Sequence, residues 1–169
     1  MPYIQLDAID LKILSALQDD GRLSNADLAE RVGLSPSPCL RRVRRLERDG
    51  FLQGYAARLD RQSVGLSLTV FVELRLDDPS PNAARALEQA LVALPQVVSC
   101  HSLAGGADYM AEVVVPGVTA FDAMLNGTLR NLPHIRDIRS TIALKNLKSG
   151  APLPLGHIVR DGRGEPDCG

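Results

Sequence analysis

Between Ser35 and Arg48 the chain carries five arginines, Arg41, Arg42, Arg44, Arg45 and Arg48, against a single acid, Glu47. A charge run usually marks a solvated helix face, but a run of nearly one sign favours an anionic partner. Arginine pairs bidentately with guanine O6 and N7 or clamps a phosphate. The run opens with Ser35-Pro36-Ser37-Pro38. Ser35 reads as an N-cap, Pro36 takes the first helical position, where a missing N–H costs nothing, and Pro38 still lies in the first turn, whose N–H groups lack intrahelical partners. At about 100° per residue, Leu40, Val43 and Leu46 face inward with Phe51 just beyond, while Ser37, Arg41, Arg44 and Arg48 share one exposed side flanked by Arg42 and Arg45. Residues near the N-terminus of such a helix reach base edges in the major groove. The expected contacts to double-stranded DNA are therefore Ser35, Ser37, Pro38, Arg41, Arg42 and Arg45. Arg44 and Arg48 lie further along, where they reach phosphate or pair with Glu47, Asp49 or another carboxylate.

A second candidate is Gly105-Gly106-Ala107-Asp108. Glycines let the backbone approach a small ligand and offer N–H groups to a carboxylate, and Asp108 is suited to an ammonium group. A plain hairpin turn with a solvated Asp fits the same residues. Other constellations carry less. Cys100 and His101 are adjacent on a strand, so they point to opposite faces and cannot share a metal. The three cysteines, Cys39, Cys100 and Cys168, have no CxxC spacing, which fits neither a disulfide framework nor a zinc site. No glycine-rich phosphate loop or recognisable catalytic set occurs, so neither an enzyme, a metal nor a cofactor is expected.

These groups need elements to hold them. The chain has 169 residues, 45% of them hydrophobic and 23% charged, with no Trp, so an aliphatic core is within reach. The net charge is −1, but a DNA site needs local rather than global positive charge. No signal segment and no apolar run of about 18 residues is visible, and a cytoplasmic protein without a membrane partner is expected. Apolar spacing predicts helices over 7–20, 25–32 and from Pro36 to the stop at Gly50, a helix-turn-helix with Gly33 at the turn. Residues 51–60 read as extended, with room for one strand of a small wing. Alternation then predicts strands over 66–76, 97–103, 109–115 and 135–147, with helices over 82–94 and 119–132. The fold class is thus α+β, a (winged) helix-turn-helix followed by a ferredoxin-like βαββαβ domain. The boundaries are 1–53, a linker over 54–65, the second domain over 66–148, and a tail of low order over 149–169. The uncovered sheet face calls for self-association.

Ile9-Asp10-Leu11-Lys12-Ile13-Leu14, Asp20-Gly21-Arg22-Leu23-Ser24-Asn25, the run from Leu28 to Cys39, and Arg41 to Glu47 followed by Gly50-Phe51-Leu52-Gln53-Gly54-Tyr55 together resemble the leucine-responsive/asparagine regulator (Lrp/AsnC) family. The resemblance spans residues 6–148. It implies that the ferredoxin-like domain pairs into homodimers, commonly assembled as rings of four dimers. The family's Gly-x-x-Asp-Tyr loop is matched by Gly105-Gly106-Ala107-Asp108-Tyr109, which implies a free amino acid bound between dimers near Gly105, Gly106, Asp108 and Tyr109. Ser140-Thr141-Ile142-Ala143 matches the other family region near the ligand, contributing Thr141. Ala107 stands where some members carry a bulkier residue, and Met110 replaces a Leu, so the pocket wall differs from theirs. The expected function is a transcriptional regulator of amino acid metabolism genes, tuned by an amino acid. The alternatives are an architectural DNA-wrapping protein, which uses the same residues, and a haem-pathway enzyme on the same scaffold.

Overall fold

A computed structural model describes residues 6–158. Two compact units share the chain, residues 6–57 with 148–158 in one and Arg58–Leu147 in the other. Among the described residues no helix is long and apolar enough to cross a membrane.

The first unit is built on α1 (Ala8–Asp19), α2 (Asn25–Val32) and α3 (Pro36–Arg48). Asp7 caps α1, accepting the Ile9 and Asp10 amides at 2.9 and 2.8 Å, and the Asp10 carboxylate returns a bond to the Asp7 amide at 3.1 Å. This is a capping box made with Asp in place of Glu or Gln. Ser24 caps α2 through the Asp27 amide, and Gly33 closes it at φ 74°, a left-handed turn that glycine adopts without a Cβ clash. The core joins Ile13, Leu14 and Leu17 of α1, Leu28, Ala29 and Val32 of α2, and Cys39, Val43 and Leu46 of α3.

Two expectations for α3 need correction. Cys39, not Leu40, begins the buried stripe: Cys39 is fully buried, whereas Leu40 and Phe51 are 37% and 39% exposed. Cys39, Val43 and Leu46 are spaced four and three residues apart, the steps that bring side chains to one helix face. Leu40 lies about 100° round from that line. In addition, residues 52–60 form no strand, so the segment after α3 supplies no wing strand here.

The segment after Lys148, expected as a tail of low order, returns to this unit. The Leu153 amide donates to Gln18 Oε1 at 2.6 Å, Gln18 Nε2 donates to the Leu153 carbonyl at 3.4 Å, and Leu155 packs on the three-helix core before a 3₁₀ turn over Gly156–Ile158. Residues 159–169 of the expected tail, with Cys168, lie outside the described residues.

The second unit follows the expected order: β1 (Leu68–Leu76), α4 (Pro81–Val92), β2 (Val97–Ser102), β3 (Tyr109–Val115), α5 (Val118–Gly127) and β4 (Ile135–Ile142). The strands pair antiparallel in the order β2-β3-β1-β4. Val70, Val72 and Leu74 of β1 and Tyr109, Ala111 and Val113 of β3 point toward Leu87 and Leu91 of α4 and Phe121 and Met124 of α5. No described helix of this unit packs on the other sheet face. It presents Phe71, 38% exposed, and Glu73 from β1, with Met110, Arg139 and Thr141 on the neighbouring strands. Arg61 ties the approach to β1 onto this face, donating to Glu112 Oε1 at 2.7 Å and to Thr69 Oγ1 at 3.1 Å.

Two elements are shorter than expected. The helix over 119–132 divides into α5 and a 3₁₀ turn over Leu129–Asn131, because Thr128 leaves helical geometry and drops Leu129 into the core. β4 stops at Ile142 instead of reaching 147, since its partner β1 begins at Leu68 and the last bond is from the Ala143 amide to the Thr69 carbonyl. Leu144 and Leu147 are 98% and 84% exposed.

Leu155→Ala removes apolar contact from the three-helix core. It is expected to cost about 1 kcal/mol and to lower the melting temperature of that unit by roughly 4–8 °C. Calorimetry of the full chain checks this, and a Leu155→Ala protein that melts like the wild type refutes the docking of the segment.

Candidate nucleic-acid interface and ligand loop

α3 owes its outward face to the way its other sides are used up. Ser35 occupies the N-cap position with extended backbone, yet its side chain makes no capping bond. Pro36 and Pro38 take the first and third helical positions and have no N–H to offer. The Ser35 and Ser37 hydroxyls and the Ser37 amide are thus left at an exposed helix start, where partial positive charge collects. Pro38 is half-buried. Asn25 Nδ2 donates to the Pro36 carbonyl at 2.9 Å and fastens the start of α2 to the start of α3.

The five arginines divide into two sets. Arg42 Nη1 donates to Asp7 Oδ2 at 2.6 Å and Asp10 Oδ1 at 2.8 Å, and Arg45 Nη2 donates to Asp10 Oδ2. Burial alone would push the Asp7 carboxyl up, but the Asp10 amide, the Arg42 guanidinium and the Ile9 amide outweigh it and hold it below its ordinary value. The bonds to Asp7 and then Asp10 raise Arg42 in turn. Arg41 and Arg44 are exposed, and among the described residues neither has a carboxylate within ion-pair distance. Arg48 is 72% exposed and reaches only its neighbour Asp49, at 3.2 Å. Glu47, the helix's one acid, is turned away and accepts the Tyr55 hydroxyl at 3.0 Å. Of the sequence-expected contacts, then, Ser35, Ser37 and Arg41 face solvent, whereas Arg42 and Arg45 are engaged with α1. Arg44 and Arg48, ranked below them, share the free face. Sequence reasoning missed Asp10 as their partner, although the signal was there: Asp10 precedes Ile13, Leu14 and Leu17 by three, four and seven residues and so lies in the apolar stripe.

The loop between β2 and β3 is tied to the end of β1 through Asp108. The Asp108 carboxylate accepts the Leu76 amide at 2.8 Å, the Asp108 amide donates to the Leu74 carbonyl at 3.1 Å, and the Leu103 amide donates to the Asp108 carbonyl at 2.8 Å. Gly105 and Gly106 are exposed, and the Arg75 guanidinium lies beside Gly106, with Nη2 3.8 Å from where a Cβ would sit. Tyr109 points the other way, into the core, and its hydroxyl donates to Glu88 Oε1 of α4 at 2.9 Å. Thr141 is exposed and pairs in register with Phe71, while Tyr109 pairs with Leu74. Three register steps along β1 separate them and place them on opposite faces. One protomer therefore gathers Gly105, Gly106 and Asp108 but does not bring Tyr109 and Thr141 together. Cys100 and His101 diverge as expected. The Cys100 side chain packs on the core and burial pushes its thiol up, while His101 is exposed, with Nε2 2.8 Å from Ser99 Oγ.

Residues 6–53 match the profile of the winged helix-turn-helix DNA-binding domain, and residues 69–153 that of the Lrp/AsnC ligand binding domain. Over 151 residues the chain is 48% identical to the Bkd operon transcriptional regulator of Pseudomonas aeruginosa, covering 88% of this chain and 99% of that one. It is 44% identical over 152 residues to the leucine-responsive regulatory protein of Escherichia coli, covering 90% and 93%. Among solved structures, a transcriptional regulator from Neisseria meningitidis in complex with L-Met superposes with a TM-score of 0.87 at 38% identity, covering 91% of this chain and 99% of that one. Both matched domains are binding modules and the relatives are regulators, which sets aside the reading of the scaffold as a haem-pathway enzyme.

The Tyr109 hydroxyl is pushed up to about 12, first by burial and then by its bond to the Glu88 carboxylate. Its folded value lies above the ordinary value of 10.0, so its contribution to stability is complete below pH 10 and is lost as pH rises toward about 12. The stability advantage of the wild type over Tyr109→Phe should shrink across that window. Urea unfolding of both proteins at several pH values measures it, and a constant difference from pH 9 to 12 contradicts the assignment.

Proposed function

This chain belongs to the Lrp/AsnC family of DNA-binding transcriptional regulators, and on that premise we propose that it reads a specific DNA sequence with the free face of α3 and responds to a small apolar amino acid. The observation that carries the first part is the stripe of Ser37, Arg41, Arg44 and Arg48, in which Arg41 and Arg44 meet no acid among the described residues and Arg48 meets only its neighbour Asp49. Seated in a major groove, a helix places its N-terminal residues at base edges. Ser37 and Arg41 are then the base-reading side chains, and Arg44 and Arg48 clamp phosphates further along. The unbonded Ser35 hydroxyl and the Ser37 amide complete the set at the helix start, where a phosphate is favoured.

The effector reading draws support from relatives: one is named for its response to leucine, and another structure holds L-Met. The loop at Gly105 and Gly106 offers backbone N–H groups to an α-carboxylate, with Arg75 adjacent. Asp108 already accepts the Leu76 amide, so we assign it to shaping the loop, with its remaining acceptor capacity available to an ammonium group. Tyr109 acts as an inner wall. Thr141 lies on the open sheet face, and a role for it at the ligand requires a second copy of the chain. Homodimers formed through that face, with Phe71 at its centre, supply one, and they hold two α3 helices for a pseudo-palindromic site about one DNA turn across. We extend this reading to control of amino acid metabolism genes, supported by relatives that respond to leucine or bind L-Met.

Selection from a random duplex pool followed by footprinting tests the DNA reading. Arg41→Ala should weaken the selected site by about 1–3 kcal/mol and relax base preference at one position. A footprint and salt dependence identical to the wild type would refute the contact. A thermal-shift screen against the twenty amino acids tests the effector, since a ligand that binds only the folded state raises the melting temperature. Apolar amino acids at millimolar concentration should stand out, and a flat response counts against the loop as an effector site.

A further inference from the structure

Asp10 is the only charged side chain fully buried among the described residues. Burying a charge such as that of Asp10 is costly unless it is paired and hydrogen-bonded. Its two oxygens are fully engaged, Oδ1 with Arg42 Nη1 at 2.8 Å, and Oδ2 with Arg45 Nη2 and with the Asp7 amide at 3.1 Å. Asp7 supplies Arg42 with a second acceptor at 2.6 Å. Two carboxylates of α1 are thus matched by two guanidinium groups of α3. The arginine side chains remain 27% and 35% exposed, so their stems run along the surface while their tips turn inward. Arg45 Nε is itself buried without a partner, a cost that the inward orientation imposes and a swing toward solvent would relieve.

Arg42 and Arg45 are three residues apart and lie on one flank of α3. A change of helix roll by a single residue, about 100°, would carry both away from Asp10. The apolar stripe of Cys39, Val43 and Leu46 sets the inward side of α3, and within that setting the acid fixes the roll. It also determines how much positive charge is available to DNA. Non-specific affinity grows with the number of phosphates neutralised, each contributing about 0.9 to the slope of log K against log salt on duplex DNA.

We propose that Asp10 is a positioning residue for DNA reading: by holding Arg42 and Arg45 against α1 it fixes the roll of α3, and it withholds two guanidinium groups from the phosphate backbone so that the Ser37–Arg41–Arg44 face decides which DNA is bound. This rests on the reading of α3 as the DNA-contacting helix. The acid acts on specificity from inside the unit, touching no DNA itself.

The test uses the full chain, a random-sequence duplex of fixed length and a duplex selected by the wild type, each titrated over a range of KCl concentrations. Arg42→Gln and Arg45→Gln should leave both salt slopes at the wild-type value, whereas Arg41→Gln flattens its slope by about 0.9. Asp10→Asn should bind random DNA more tightly with a steeper slope, lowering the specific-to-random ratio by on the order of tenfold. A merely structural role for Asp10 would lower affinity for both duplexes and leave the slopes alone, and that result overturns the proposal. So does a flattened slope in Arg42→Gln or Arg45→Gln, which makes those residues phosphate contacts. If Asp10→Asn does not fold, the two glutamine variants decide the matter. A wild type that distinguishes no sequence from random DNA defeats the functional reading instead, while the slopes still report where Arg42 and Arg45 lie.

Discussion

A carboxylate sealed from water has to be met by cations, and the DNA-binding unit is arranged to meet that demand at Asp10. Buried ion pairs seldom add net stability over apolar groups of the same shape, but stranding one partner costs about 3–5 kcal/mol. The pairs of Asp10 with Arg42 and Arg45 therefore contribute more to choosing an arrangement than to strengthening it. The apolar stripe of Cys39, Val43 and Leu46 would pack against α1 and α2 over a range of small rotations. The two guanidinium groups remove that freedom, because each must reach an oxygen of one side chain. The capping box adds a second constraint: Asp10 also bonds to the Asp7 amide, so the acid is fixed relative to the start of α1 before it meets α3. One residue completes the capping box of α1, ties that helix to α3, and divides five arginines into an inward pair and an outward set.

The second unit shows a related economy at the β2–β3 loop. Asp108 looks in the sequence like a group waiting for a ligand, yet its carboxylate bonds to the Leu76 amide and its own amide to the Leu74 carbonyl. A glycine-rich loop without such a tether would sample many conformations, and a ligand would have to offset the ordering entropy on binding. Anchoring by Asp108 restricts that freedom. Tyr109 adds to it from the opposite side, its ring packed under the sheet and its hydroxyl held by Glu88. The Asp-Tyr pair thus supports the loop from two sides.

Much of this was legible in the sequence. The order of elements, the helix-turn-helix, the four alternating strands and the Gly33 and Gly50 stops follow from period and turn chemistry that the fold does not override. What escaped was a matter of partners. The inward set on α3 differs by one residue, because Leu40 lies three residues before Val43, a spacing that fits one helix face as well as the four from Cys39. Asp10 sat in the apolar stripe of α1, but nothing local names the cations thirty-odd residues on that allow it to be buried. The length of β4 depends on where β1 begins, a fact about pairing and not about Leu144 or Leu147. Gly- and Pro-rich composition suggested low order after residue 149, whereas Leu155 and the Leu153 amide find a surface and a side chain on α1.

The net charge of −1 poses a question that the ion pairs answer. At physiological ionic strength fields are screened over about 8 Å, so a phosphate senses the few charges nearest to it and not the sum over the chain. Along α3 those are Arg41, Arg44 and Arg48. Glu47 is drawn off to Tyr55, and Asp7 and Asp10 are matched by Arg42 and Arg45. Asp7 and Asp10 therefore do not oppose the stripe. They neutralise the arginines that point inward, and Asp49, 3.2 Å from Arg48, meets the stripe only at its far end. Charge confined to a narrow face makes affinity depend on how well that face fits the groove, which is the physical condition for discriminating one sequence from another. On the proposed role of Asp10, a unit with all five arginines free would hold DNA more tightly and discriminate less.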